Sequence, residues 1–244
     1  MAIQPKEFYL PFVKKEKVAK DTYSFYFDRG STPLGWNFLP GQYIRMTLDI
    51  YRPDNRGSSR FFTIASSPLE KKYLMITTKI IQSSFKKRLM TLKSQELVKF
   101  FGPIGAFILN EEEKNPRVFL AGGIGITPFH SMITYANAKK LSIPITFIAS
   151  FSTMEDLVFY KELTDIANKN PIIKIIYTVT HPENGWKGET SRISEDVIKK
   201  YVPDIFKPQY FIVGAPAMVA AMEETVNKMG VVNEKIFIEN FTGY

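Results

Sequence analysis

Hydrophobic and polar residues alternate in short segments over the first 110 residues of the chain. Six of these segments are rich in aromatic and β-branched residues, and turn formers such as Pro40-Gly41 separate them. Six strands at this spacing predict an antiparallel β-barrel or sandwich, which we place at residues 1–110. The segments are residues 7–19, 21–28, 41–50, 60–66, 72–80 and 96–102.

One helical segment interrupts these strands. Over residues 84–92, SFKKRLMTL, the apolar side chains of Phe85, Leu89 and Leu92 recur at the spacing of one helix face. The pattern therefore predicts a short helix between the fifth and the sixth strand.

The pattern changes after residues 111–116, EEEKNP, which carry no apolar side chain and end in proline. Such a stretch predicts a hinge between two domains. Beyond it, strand-like and helix-like segments alternate, which predicts a doubly wound, mainly parallel α/β sheet over residues 116–244. The strand-like segments are residues 117–121, 144–151, 172–180, 209–214 and 235–240, and the helix-like ones are 127–140, 154–169, 194–201 and 216–230.

The chain contains no cysteine. Disulfides, thiolate nucleophiles and cysteine-ligated zinc or iron–sulfur clusters are therefore excluded, and no metal site is expected. No apolar run reaches the roughly 20 residues that a membrane-spanning helix needs. The first residues also lack the order of a signal peptide. We expect a cytoplasmic protein without a membrane span.

Basic residues outnumber acidic ones, which gives the chain a net charge of +8. Local clusters occur at residues 14–17 and 86–88. Such clusters bind nucleic acid or steer an acidic protein partner, although any one of them is more simply a solvated basic surface. No nucleic-acid-binding motif accompanies them, so no nucleic-acid partner is expected.

A glycine-rich turn follows the first strand of the second half, in VFLAGGIGITP at residues 118–128. Gly122, Gly123 and Gly125 let a ligand approach the backbone, and Thr127 is expected to cap the next helix. Exposed amides and a helix dipole at such a turn favour a phosphate group. A plain tight turn explains the glycines equally well, because the spacing is not the common G-x-G-x-x-G.

Seven short motifs follow one another from the first strand to the last residue. In this order they resemble the landmarks of the ferredoxin–NADP reductase superfamily, whose members are flavin- and nicotinamide-binding oxidoreductases. The resemblance implies a member without an iron–sulfur domain. The motifs are PGQYI (40–44), RFFTIASSP (60–68), SSFKKRL (83–89), GPIGAFIL (102–109), AGGIGITP (121–128), VGAPAMV (213–219) and ENFTGY (239–244).

The resemblance assigns FAD to the first domain through RFFTIASSP, residues 60–68. Arg60 would hold the flavin pyrophosphate, Phe62 would lie against the isoalloxazine face, and Thr63 would serve catalysis near flavin N5. The backbone around Ile64 would contact the ring edge. Strand alternation places Arg60, Phe62 and Ile64 on one face, so Thr63 would act through its backbone or a local twist.

The motif SSFKKRL resembles the family's serine-led helix start, whose hydroxyl and amides meet the FAD phosphates. Ser84 is the first candidate for this contact and Ser83 is the second. A simple N-cap serine explains either residue almost as well.

The resemblance assigns a nicotinamide dinucleotide, NAD(P)H, to the second domain, where the glycine turn would cradle its pyrophosphate. VGAPAMV resembles the segment beside the nicotinamide ring, but it lacks the cysteine of many relatives, which excludes a thiol contribution. Thr180-His181 stands where NADP-selective relatives often have Ser-Arg, and Arg192 could substitute, so NADH and NADPH both remain open. The residues assigned to this dinucleotide are Gly122, Gly123, Gly125, Thr127, Gly214, Pro216 and Arg192.

The chain ends on an aromatic residue, Tyr244, with Phe241 three positions before it. In several branches of the family a terminal aromatic covers the flavin and moves aside for the nicotinamide. We assign Tyr244 to this binding and catalytic role, with Phe241 also eligible. The alternative is a tail that packs against the barrel.

These assignments imply an NAD(P)H-dependent flavoprotein reductase. Hydride would pass to FAD, and electrons would then pass to an acidic carrier protein such as ferredoxin or flavodoxin. One alternative is a flavin reductase that releases reduced flavin, and another is a non-catalytic dinucleotide-binding subunit. Motifs of hydrolases and metallopeptidases are missing.

Overall fold

A computed structural model describes residues 4–242, which form two compact units with the break between Leu109 and Asn110. The first unit is a six-stranded sheet in the order β4-β3-β6-β1-β2-β5, with antiparallel neighbours throughout. The predicted antiparallel barrel domain is confirmed. Its strands are β1 (Lys6–Ala19), β2 (Thr22–Asp28), β3 (Tyr43–Thr47), β4 (Ser59–Thr63), β5 (Tyr73–Lys79) and β6 (Leu97–Ile104).

Two features close the sheet on itself. The long strand β1 pairs with β6 through its first half and with β2 through its second half, with a register shift after Phe12. At the other end of the sheet, the Ala65 N–H donates to the Met75 carbonyl at 2.8 Å. This bond joins the end of edge strand β4 to edge strand β5, so β4 is held beside both β3 and β5.

Aromatic side chains fill the interior of the first unit. Phe8, Leu10 and Phe12 alternate inward along β1, and Phe27 meets Phe100 edge to face at 4.9 Å between ring centroids. Burying each such side chain contributes about 1.5–3 kcal/mol. The predicted helix is confirmed as α1 (Ser84–Met90). Its predicted apolar face, with Phe85, Leu89 and Leu92, packs into the core of the barrel.

The second unit is a five-stranded parallel sheet in the order β11-β10-β7-β8-β9. The chain runs from β7 to β9 on one side and then returns to β10 on the other, so the direction of winding switches between β7 and β10. The predicted doubly wound sheet is confirmed. Its strands are β7 (Arg117–Gly122), β8 (Ile145–Phe151), β9 (Ile173–Val179), β10 (Gln209–Gly214) and β11 (Ile236–Asn240).

Four helices accompany this sheet, namely α2 (Ile126–Ala138), α3 (Tyr160–Lys169), α4 (Glu195–Tyr201) and α5 (Pro216–Lys228). Across residues 4–242, every helix is too short or too polar to pass through a bilayer.

The helix predicted over residues 154–169 is wrong in its first six residues. The Asp156 carboxylate accepts hydrogen bonds from the Thr153 amide and hydroxyl, which closes a short 3-10 turn instead. Phe159 then adopts a left-handed conformation with φ of 57°, and α3 begins only after it. A local side-chain bond therefore overrides the helical pattern here.

The segment predicted as a hinge, residues 111–116, lies inside the second unit and is held by Arg117. The Arg117 side chain is fully buried at the start of β7. Its guanidinium donates to the carbonyls of Asn115, of Asn110 at 3.2 Å and of Glu113 at 3.0 Å. Desolvation lowers the pKa of Arg117, and the charge of the Glu113 carboxylate partly opposes this shift.

Replacing Arg117 with methionine is expected to lower the free energy of unfolding by about 2 kcal/mol, because three main-chain carbonyls lose the donor that holds them together. Urea-induced unfolding measures this change. The exposed Lys114 also donates to a carbonyl of this segment, that of Glu111, and Lys114→Met serves as the matched control. Its expected effect is below about 0.5 kcal/mol. Equal effects of the two variants would show that Arg117 does not organise the segment.

Candidate functional site

The glycine turn after β7 lies directly against the turn after β10. An ideal Cβ on Gly125 would come within 2.6 Å of the Val213 carbonyl oxygen. A Cβ on Gly214 would come within 2.7 Å of the Met218 Sδ, and one on Gly122 within 3.1 Å of the same sulfur. The two turns can lie this close together because Gly122, Gly125 and Gly214 have no side chains. They meet between β7 and β10, where the direction of winding of the sheet switches. Open α/β sheets bind ligands at this point.

The backbone between these contacts is open. Gly123 has a φ of +51°, and an added Cβ would meet no atom within 4 Å. Helix α2 begins directly after the turn and runs for 13 residues, so its dipole favours an anion here. Thr127 does not cap α2 as expected: Gly125 is the N-cap, and the Thr127 hydroxyl donates to the Ile124 carbonyl at 3.1 Å.

The other residues assigned to the dinucleotide lie at the carboxyl ends of neighbouring strands. Pro216 is exposed in the first turn of α5, two residues after Gly214. The Thr180 amide donates to the Phe151 carbonyl at 3.0 Å, and this bond holds the end of β9 beside the end of β8. Arg192 is exposed in the loop before α4, and it has no hydrogen-bond or ion-pair partner among the residues that the structure describes.

Glu239 is a residue of this region that the sequence did not single out. It is paired with Val213 in the β10–β11 register, one position before the end of β11. Its Oε2 atom is buried without a hydrogen-bond partner among the described residues, and burial raises the pKa of Glu239 to about 7. A carboxylate directly after the apolar run Ile236-Phe237-Ile238 was the available signal.

In the first unit, the Thr63 hydroxyl is buried and unsatisfied. Thr63 is 6% exposed, and its Oγ1 has no hydrogen-bond partner within residues 4–242. Strand alternation groups it with Phe61, which is 62% exposed. Thr63 is nevertheless covered, because it lies at the end of β4 where that strand joins β5. A buried hydroxyl without a partner costs about 1–3 kcal/mol, so a ligand that bonds to it is stabilised correspondingly.

Phe62 on β4 and Ile64, the first residue after that strand, both face the barrel interior, as alternation predicts. Phe62 is half-buried and packs against Phe85 at 5.8 Å between ring centroids, whereas Ile64 is fully buried in the barrel core. The Ile64 amide donates to the Gln42 carbonyl at 3.0 Å. The Ala65 amide donates to the Met75 carbonyl, in the bond that closes the barrel. The barrel therefore already uses these two amides, and a contact between this stretch of backbone and a ring edge stays a prediction.

Arg60 lies in a network of opposite and like charges. Its guanidinium donates to the carbonyls of Arg56, Gly57 and Ser59 and to the Asp54 carboxylate at 3.4 Å. Desolvation, partly opposed by Asp54, lowers the pKa of Arg60. The side chain is thus held at the base of α1, with its cation beside Phe85.

Both candidate serines are engaged at the start of α1. Ser83 is the N-cap, and its hydroxyl accepts from the Lys86 amide at 3.0 Å. The Ser84 hydroxyl accepts from the Asp54 amide, and the Ser84 amide donates to the Asp54 carboxylate, both at 3.0 Å. Bonding to the Ser84 amide lowers the pKa of Asp54. Asp54, which is not among the predicted site residues, therefore occupies an anion position at this helix start.

The basic cluster predicted at residues 86–88 is not a continuous surface patch. Lys86 is buried, and Arg88 forms an ion pair with Glu96.

Tyr244, assigned to the flavin face, lies outside the described residues. The Phe241 amide donates to the Gly214 carbonyl at 2.9 Å, which ties the chain after β11 to the switch-point turn.

Comparisons with known proteins assign one ligand to each unit. An oxidoreductase FAD-binding domain matches residues 9–108, and an oxidoreductase NAD-binding domain matches residues 119–224. A ferredoxin NADP+ reductase from Neisseria gonorrhoeae, solved with bound FAD and NADP, has the same fold with a TM-score of 0.79 and 18% identity. The alignment covers 96% of this chain and 98% of that structure.

This chain belongs to the ferredoxin–NADP reductase superfamily. It is an NAD(P)H-dependent flavoprotein oxidoreductase that uses FAD, and it transfers electrons from NAD(P)H to that flavin. A superfamily relative, the glycine betaine monooxygenase reductase subunit of Chromohalobacter salexigens, is 26% identical over 205 residues, which are 81% of this chain and 54% of the relative. NADH-cytochrome b5 reductase 1 of Aspergillus fumigatus is 28% identical over 241 residues, 93% of this chain and 76% of the relative.

The described residues fit both groups. The unpartnered Thr63 hydroxyl and the half-buried cation of Arg60 suit a flavin with a charged diphosphate. The open backbone at Gly123, at the switch point, suits a second dinucleotide.

Replacing Gly125 with alanine is expected to lower the free energy of unfolding by about 2 kcal/mol or more, because its Cβ would meet the rigid Val213 carbonyl. Gly122→Ala is the control, since its Cβ would meet only the flexible Met218 side chain. We expect less than about 1 kcal/mol for the control in the same urea titration. A Gly125→Ala protein as stable as the control would contradict the close approach of the two turns.

Proposed function

We propose that this chain takes hydride from NADH and passes electrons through FAD to an acidic carrier protein such as a ferredoxin or flavodoxin. The observation that carries the proposal is the pair of glycine turns at the switch point, with acidic residues at the neighbouring strand end. Bound FAD would accept two electrons from the nicotinamide as hydride and release them one at a time. The net charge of +8 supports an acidic acceptor.

The choice of NADH rests on charge at the ends of β8 and β9. Glu155 and Asp156 follow β8, and Thr180-His181 follows β9. Carboxylates oppose a 2′-phosphate, whereas they accept hydrogen bonds from ribose hydroxyls. Arg192 is the one assigned cation in this region, and it extends from an exposed loop.

Within the first unit, each residue has a separate task toward the flavin. Arg60 holds the diphosphate by charge-assisted hydrogen bonds, and Phe62 covers the ring. The Thr63 hydroxyl holds a hydrogen bond at the reacting edge of the ring. Ser83 and Ser84 act indirectly, because they fix the start of α1 and the position of Asp54.

The two relatives described above support a protein acceptor. One is named as the reductase subunit of a monooxygenase and the other as a reductase of cytochrome b5. Because this chain has no cysteine, it supplies no cysteine-ligated iron–sulfur cluster to receive the electrons.

Anaerobic titration of the FAD-loaded protein tests this function. We expect NADH to bleach the flavin absorbance, and NADPH to need at least about tenfold higher concentration because its 2′-phosphate meets Glu155 and Asp156. Reduced protein mixed with oxidised ferredoxin should then regain its flavin absorbance. Flavin that neither nucleotide bleaches would refute the reductase function. Bleaching followed by loss of the flavin on gel filtration would favour release of reduced flavin instead.

Replacing Thr63 with valine removes the unpartnered hydroxyl and keeps the side-chain shape. We expect the apoprotein to be at least as stable, and the rate of flavin reduction by NADH to fall about tenfold or more. Stopped-flow absorbance gives the rate, and urea titration gives the stability. Thr63→Ser is the control and should retain the rate. A valine variant that reduces flavin as fast as the parent would remove Thr63 from the site.

A further inference from the structure

Lys86 is a buried cation beside the residues proposed for the flavin. It lies in the first turn of α1 and is only 5% exposed. Its ammonium donates to the Thr78 hydroxyl on β5 and lies 4.9 Å from the centre of the Phe62 ring. A lysine in a core position carries a large desolvation cost unless an opposite charge offsets that cost.

The surroundings of Lys86 do not supply an opposite charge. The charged groups that act on it are Arg60 from β4 and Arg56 from the preceding loop, and both repel it. Within residues 4–242, its Nζ atom has no carboxylate at ion-pair distance. Burial first, and then Arg60 and Arg56, lower the pKa of Lys86 to about 7.

Arg56, Arg60 and Lys86 form what we call the cationic cluster, and one carboxylate is shared among its members. Asp54 pairs with Arg60 at 3.4 Å and with Arg56 at 3.7 Å. Because Asp54 also accepts from the Ser84 amide, its single charge is already divided among several donors. With Lys86 protonated, the cluster retains two uncompensated positive charges.

We propose that Lys86 is a positioning residue for FAD, and that its ammonium and Arg60 together neutralise the two negative charges of the FAD diphosphate. This inference rests on the proposed role of Arg60. The diphosphate is the source of charge that matches the cluster, because the isoalloxazine ring is neutral when oxidised. Because Lys86 also lies beside Phe62, it would stand between the part of the site that binds the diphosphate and the part that binds the isoalloxazine ring.

The proposal gives FAD binding and apoprotein stability opposite dependences on pH. In the apoprotein the pKa of Lys86 is lowered from 10.5 to about 7. The free energy of unfolding should therefore rise as the pH increases from about 7 to about 10.5, because the folded protein loses the burden of a buried charge. Affinity for FAD should fall over the same interval, because the diphosphate loses its ammonium partner. A lysine with a purely structural role would produce only the first dependence.

The test is a fluorescence titration of apoprotein with FAD at about pH 6 and about pH 9, on the two sides of the lowered pKa. We expect the Kd of the parent protein to increase about tenfold or more between these values. Lys86→Met should have a Kd about tenfold or more above that of the parent at pH 6 and should lose most of the pH dependence. Lys87→Met is the matched control, because Lys87 is the exposed neighbour on the same helix, and it should behave as the parent does.

Riboflavin, which lacks phosphate, identifies the group that Lys86 contacts. The parent and Lys86→Met should bind riboflavin equally, at both pH values. A loss of riboflavin affinity in the variant would overturn the diphosphate assignment. A parent Kd for FAD that does not change with pH would overturn the proposal even if the methionine variant failed to fold. A parent protein that binds no FAD would instead refute FAD use itself.

Discussion

The close approach of two backbone turns, at Gly125 and Val213, is the constraint on which the second unit depends. Strand β7 pairs in parallel with β8 on one side and β10 on the other, so three strand ends reach one edge of the sheet. The two innermost turns fit together only because Gly125 presents no side chain to the Val213 carbonyl. The same lack of side chains leaves the amides at Gly123 open, so packing and ligand access have one cause.

In the first unit, the dominant constraint is electrostatic. The barrel buries Lys86 and partly buries Arg60, both near aromatic rings, so water screens their charges less than at the surface. Asp54 and several backbone carbonyls stabilise Arg60, whereas Lys86 has only a hydroxyl. A buried cation without a compensating negative charge lowers the stability of the folded protein, and such costs are common at functional sites.

Elements that follow a regular period were predictable from the sequence, and contacts between distant residues were not. Alternation along β1 and the stripe of α1 predicted the barrel and its helix, whereas the phosphate site expected at the turn after β7 stays a prediction. The burial of Thr63 depends on the hydrogen bond from Ala65, two residues after β4, to Met75 on β5, and no local sequence pattern indicates that bond. Lys86 was read as surface because its neighbours are basic, although its spacing from Phe85 and Leu89 places it near the inward stripe of α1. Asp54 meets Ser84 across 30 residues, a pairing that only the folded chain reveals.

The way in which Arg117 binds residues 110–116 bears on how this segment tolerates sequence change. Its guanidinium recognises main-chain carbonyls, which every amino acid supplies, so the side chains at Glu112 and Lys114 are free to vary. The spacing of those carbonyls along the chain is fixed by the reach of one side chain. Selection should therefore conserve the length of the segment and the arginine, while the residues at positions 112 and 114 vary.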